Sequence, residues 1–167
     1  PTDTPSPTPT DTGTPTDTPS PTPTDTPSPT PTGAVSPGPR VVHVHAPTAT
    51  SWDFSTGWYG DYVNQSVVNN MVDEGLKQLT GQSTVAAAWQ TLLPDYAPGK
   101  AIAIKVNFNN CGSCADADNI IDGLMEPVNA LIRGMKEMGV LEEDIWVYDA
   151  LRRLPDRFRN RCLYPNV

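Results

Sequence analysis

Apolar positions between residues 41 and 148 fall into runs whose spacing switches between the two-residue period of a strand and the 3.6-residue period of a helix. Val41, Val42 and Val44, interleaved with His43 and His45 and stopped by Pro47, predict a first strand. Asp61 is placed to cap a helix in which Val63, Val67, Met71, Val72, Leu76 and Leu79 share one stripe, with Gly81 as its stop signal. Ser83 then opens a short Ala-rich helix that reaches Leu93 and is closed by Pro94. Residues 101–106 predict a second strand, whose continuous apolar character implies burial on both faces. Val128, Leu131, Ile132, Met135 and Met138 form the next helical stripe, with Pro127 in its first turn and Gly139 at its end. Ile145, Trp146, Val147 and Tyr148 predict a third strand that ends in Asp149. Strands alternating with helices imply right-handed crossovers, hence an α/β domain with a three-layer, mostly parallel, Rossmann-like sheet.

Composition separates this domain from what precedes it. Residues 1–39 are almost entirely Pro, Thr, Ser, Asp and Gly, in imperfect repeats of Pro-Thr-Asp-Thr-Pro-Ser-Pro-Thr. Such a tract has too little to bury to offset the entropy of ordering it, so it is expected to be a disordered, extended spacer. It contributes four aspartates and no base; the remaining 11 basic and 15 acidic residues leave a formal −4 for residues 40–167. A nucleic-acid partner would call for a basic surplus, so that class is set aside. No apolar run approaches the roughly 20 residues of a membrane helix. Pro/Thr spacers tether modules outside the cell, which points to an exported, extracellular or cell-surface location with the spacer as the tether. Residues 163–167 read as the start of a further strand, so the domain is expected to be truncated at its C-terminus, an incomplete part of a longer protein.

In open parallel sheets ligands bind beyond the carboxyl ends of the strands. Three strand ends therefore carry the candidate chemistry, and their loops are expected to meet in one crevice. The first loop holds Trp52, Trp58 and Tyr59, aromatic surfaces for a sugar or an aromatic ligand, or the cover of a core edge. The second begins Lys105-Val106-Asn107-Phe108-Asn109-Asn110-Cys111-Gly112-Ser113-Cys114. Lys105 there is suited to hold a carboxylate or phosphate, or to act as a base once its pKa is lowered, or simply to pair with Asp149. Asn107 offers a carbonyl and two amide donors, to a ligand or to a turn. Asn109, Asn110, Asp116, Asp118 and Asn119 make an oxygen-rich loop, a calcium candidate without EF-hand spacing. The third end holds Asp149, a candidate acid, base or metal ligand, followed by Arg152, Arg153, Arg157, Arg159 and Arg161, an anion-binding edge or a solvated helix.

Cys111 and Cys114 admit three readings: a dithiol redox pair, half of a zinc site, or a small structural disulfide closing the loop, which an extracellular setting favours. The other zinc ligands would have to come from Cys162 and from His43 or His45, which alternate along a strand and face the same side. A metal ion is thus possible and the cofactor is open. Local signatures of nucleotide-binding folds, P-loops, HExxH zinc peptidases and GxSxG hydrolases are absent.

Ala103-Ile104-Lys105-Val106-Asn107, Glu126-Pro127 opening a helix that ends in Met138-Gly139-Val140, and Asp144-Ile145-Trp146-Val147-Tyr148-Asp149 together resemble the domain-of-unknown-function family numbered 362, in particular its exported bacterial branch. Leu79-Thr80-Gly81 and Ala88-Trp89 also fit that branch. The resemblance spans roughly residues 41–167, the N-terminal part of the family domain. It picks out Lys105, Asn107 and Asp149, and it implies that residues 109–125, with both cysteines of the CxxC pair, are an insertion. The family has no established activity. Two readings follow: an exported enzyme acting on a small anionic substrate, with Lys105 and Asp149 as catalytic groups; or a surface-tethered module that binds a ligand or metal without turnover.

Overall fold

The computed structural model describes residues 40–55, 57–109 and 122–167. Among these residues, four α-helices and two strands follow in the order α1 (Gln65–Thr80), α2 (Val85–Leu92), β1 (Ile102–Lys105), α3 (Met125–Met138), β2 (Ile145–Tyr148) and α4 (Asp156–Arg159), with short 3-10 turns at Pro47–Ala49, Tyr59–Tyr62 and Glu142–Asp144. The domain is mixed α/β, and its sheet is a parallel pair in which Ile102, Ala103, Ile104 and Lys105 face Ile145, Trp146, Val147 and Tyr148. One further bond, Val106 N–H to Tyr148 O at 2.9 Å, carries the ladder past Lys105.

α1 and α2 each start where a side chain supplies an acceptor that the first N–H groups lack. Asn64, not Asp61, caps α1: its Oδ1 accepts from the N–H of Ser66 at 3.1 Å and of Val67 at 3.3 Å. Asp61 is already committed to a 3-10 turn, and Val63 to an antiparallel bridge with Thr50, which holds the chain extended up to residue 64. Thr84 caps α2 in the same way, accepting from Ala87 N–H at 3.2 Å. Gly81 and Gly139 end α1 and α3 with φ of +72° and +99°, a left-handed step that glycine takes without steric cost.

The core gathers Trp89 from α2, Met125, Val128, Ile132 and Met135 from α3, Ile145 from β2, Val106 and Phe108 beyond β1, and Phe158 from α4. Phe108 and Phe158 meet edge to face at 5.0 Å and both are wholly buried. α3 carries the most buried face of the helices because its stripe meets α1 and α2 on one side and the strand residues on the other.

Two further expectations differ from this arrangement. Residues 41–45 form no strand; they run beside α1, with Arg40 Nη1 bonded to Leu79 O at 3.5 Å and Val44 3.5 Å from the point where a Cβ on Gly75 would lie. Val42 and Val44 are half-buried and His43 and His45 exposed, so the alternation is real, but the surface burying it is a helix. β1 is likewise not buried on both faces: Ile102 and Ile104 turn inward while Ala103 and Lys105 are exposed.

Candidate functional site

At the carboxyl ends of the two strands, Asp149 organises the backbone. Its Oδ2 accepts from Phe108 N–H at 2.9 Å, and its Oδ1 accepts from Leu151 N–H and Arg152 N–H, each at 2.8 Å. The carboxylate thus joins the segment leaving β1 to the turn leaving β2. These backbone donors, with the nearby Lys105 ammonium adding to them, hold its pKa below the usual carboxylate value. A carboxylate spent in this way is a poor proton carrier at neutral pH.

Lys105 is exposed at the last position of β1, opposite Tyr148. Among the described residues it has no ion-pair partner within 4.0 Å, so the pairing with Asp149 is through space. Asn107 Oδ1 accepts from Asn109 N–H at 2.9 Å, which closes a local turn through the side-chain oxygen. Asn109 and the Arg152 side chain are exposed beside them. Lys105, Asn107, Asn109, Asp149 and Arg152 are therefore grouped at one end of the sheet, linked through Asp149 and Phe108.

Trp58 belongs to a second group. The Arg157 guanidinium lies 5.1 Å and the Arg161 guanidinium 5.5 Å from its ring, and Tyr59 packs edge-on at 5.2 Å. Arg157 pairs with Asp122 at 2.6 Å, both side chains nearly inaccessible, while Arg161 reaches Glu126 Oε1 at 2.5 Å and Gly60 O at 2.6 Å. The Tyr59 hydroxyl donates to Asp122 O at 2.8 Å and accepts from Asp122 N–H at 2.9 Å; burial, helped by the Asp122 carboxylate, pushes its pKa up to about 12. Gln65 and Asn129 extend this network, Asn129 Nδ2 donating to Gln65 Oε1 at 3.1 Å and to Arg161 O at 3.0 Å.

The aromatic loop and the arginine segment meet in a packing network in which Trp58 Nε1 and Glu126 Oε2 are buried with no hydrogen-bond partner among the described residues; because residues 41–45 form no strand, this loop is not the strand-end loop expected from the sequence. Glu126, Gln65, Asn129 and the inward turn of Arg157 and Arg161 escaped the sequence reading. For the arginines the signal was Phe158: it is wholly buried, and Arg157 beside it turns inward while Arg159 on its other side stays exposed.

His43 and His45 face the same side with ring centroids 6.5 Å apart, and both are exposed. Among the described residues no three His, Cys, Asp or Glu side chains are grouped to hold a metal. Cys162 is a half-buried free thiol packed at the core edge, its Sγ 3.4 Å from Tyr164 O. Cys111 and Cys114, with the disulfide expected between them, and Asn110, Asp116, Asp118 and Asn119 lie outside the described residues. An open groove of about 280 Å³ lined by Leu92, Leu93, Tyr96, Lys100 and Ile102 sits at the amino end of β1, away from this site. No helix among the described residues is long and apolar enough to cross a membrane.

Compared with known proteins, the chain matches no family model, no curated protein and no solved structure.

Proposed function

We propose that this domain binds a small anionic ligand at the carboxyl ends of β1 and β2 and does not by itself turn it over. The observation that carries the reading is the inventory of groups there. Asp149 has both oxygens engaged by backbone donors, whereas Lys105, Asn107 and Arg152 offer an ammonium, an amide and a guanidinium. Among the described residues this cluster has donors to spare and its one carboxylate engaged, which suits a carboxylate or phosphate group rather than the paired acid and base of proton-transfer catalysis. The same reading takes β1, α3 and β2 as one crossover unit of a three-layer, Rossmann-like sheet, in which strand ends hold ligands. It sets the module on an exported chain, with residues 1–39 as the cell-surface tether. Lys105, Asn107 and Asp149 are also the positions singled out by the resemblance to family 362.

The test is titration of the full 167-residue chain with inorganic phosphate and with citrate, followed by calorimetry and amide chemical shifts. Saturable binding of either anion, centred on residues 105–109 and 149–153 and weakened at least tenfold in Lys105→Ala, is the expected result. Absence of saturation, or affinity unchanged in Lys105→Ala, overturns the reading.

A further inference from the structure

The face of the sheet turned away from the core is left open by the described residues. Ala103 stands beside Trp146 and Lys105 beside Tyr148; Trp146 is 65 % and Tyr148 43 % exposed, and Ala103 and Lys105 are exposed with them. Their neighbours one residue away, Ile102, Ile104, Ile145 and Val147, join the core. Parallel strands with one face open are unusual, because the crossovers that connect them normally place helices on both faces. Setting a tryptophan and a tyrosine side by side on such a face adds apolar area that the domain itself does not use.

We propose that this face is the docking surface for one amphipathic helix of a partner, apolar along the stripe that meets Ala103, Trp146 and Tyr148 and carrying a carboxylate that reaches Lys105. Dimensions and charge select this occupant. Two four-residue strands at about 3.3 Å per residue and about 4.8 Å apart present a patch of roughly 13 by 10 Å. A helix about 10 Å across, rising about 1.5 Å per residue, covers it with about nine residues. The only charge these two strands place on the face is the Lys105 ammonium, so the complementary group is an acid at the edge of the helical stripe. A second copy of this chain fits poorly, because two such faces packed together would oppose lysine to lysine; for any occupant the patch, roughly 130 Å², is far below the about 800 Å² per partner of a stable interface. The small area also means that the helix acts as part of a larger partner, which raises its effective concentration.

The experiment supplies that concentration by tethering. A designed helix with a leucine stripe and Glu at both edges is fused after Val167 through a Gly/Ser linker of about 15 residues, long enough to span about 20 Å. A second fusion carries Lys at the same edges. The Glu-edged fusion is expected to raise the thermal midpoint of the domain by about 4 °C or more and the Lys-edged one to leave it unchanged. Lys105→Glu is expected to reverse that order. Trp146→Ser, at an exposed position where the far-UV spectrum is expected to stay native, removes the shift; Tyr148→Ser serves the same purpose should Trp146→Ser not fold. Equal shifts from both fusions, no shift from the Glu-edged one, or a shift that survives Trp146→Ser overturns the proposal. So does concentration-dependent dimerisation of the untagged chain, by sedimentation, that shields Trp146. Phosphate binding is expected to be unchanged in Trp146→Ser, which separates failure of this inference from failure of the anion site.

Discussion

Asp149 shows how one carboxylate takes a structural post at a strand end. Its depressed pKa means that the folded state binds that proton less well than the unfolded chain, whose value is about 3.9. The stability it adds is present above that value and is lost as the pH falls through the lower, folded one. Asp149→Asn is therefore expected to be less stable at pH 7 and to have a flatter stability profile below pH 4, measured by urea unfolding across pH. Tyr59 behaves oppositely at the alkaline end. Its pKa of about 12, set by burial, lies above the unfolded value of about 10, so its contribution is complete below pH 10 and is lost between pH 10 and 12. Absorbance titration of phenolate is expected to show Tyr59 ionising about two units late, with Tyr96 and Tyr164 also raised by burial, and Tyr59→Phe is expected to remove the Tyr59 step.

Among the elements, the starts of α1 and α2 are set by two short polar side chains. Asn64→Ala and Thr84→Ala are each expected to cost about 1 kcal/mol, by thermal or chemical unfolding, since each strips a partner from exposed helical N–H groups. Gly134 in α3 poses a contest of effects. Alanine has the better helix propensity by about 1 kcal/mol. A Cβ there, however, would press into the Trp89 indole and lie 3.2 Å from Val85 Cγ1, because α2 crosses α3 at this point. Overpacking of that kind costs about 1 to 3 kcal/mol, so Gly134→Ala is expected to be net destabilising, with a lowered thermal midpoint.

For the whole molecule, the Arg157–Asp122 pair joins the C-terminal segment to the approach to α3, while Trp58 lies against the same guanidinium. Removing one member of such a pair leaves a buried charge uncompensated. Arg157→Met is expected to lose about 3 to 5 kcal/mol in denaturant unfolding, several times the effect of an exposed ion pair. Arg159→Met, whose partner Asp156 is exposed with it, is the control expected to change stability by less than about 1 kcal/mol.

Local chemistry was legible in the chain. The 3.6-residue stripes located α1 and α3 and their glycine stops, and Ile145–Tyr148 was read as a strand in full, because helix period and left-handed glycine are properties of a few adjacent residues. The grouping of Lys105, Asn107 and Asp149 followed from parallel strand ends alone. Choices between distant partners were not legible. Alternating valines at 42 and 44 state that one side is buried, without stating whether a strand or a helix buries it, and here α1 does. The Asp149 bond to Phe108 N–H, Arg157 turned inward on Asp122, and Trp146 left facing outward each depend on residues 35 or more positions away in sequence. Only the tertiary structure decides them, because a side chain's role is set by which donors, charges and apolar surfaces folding brings within contact distance.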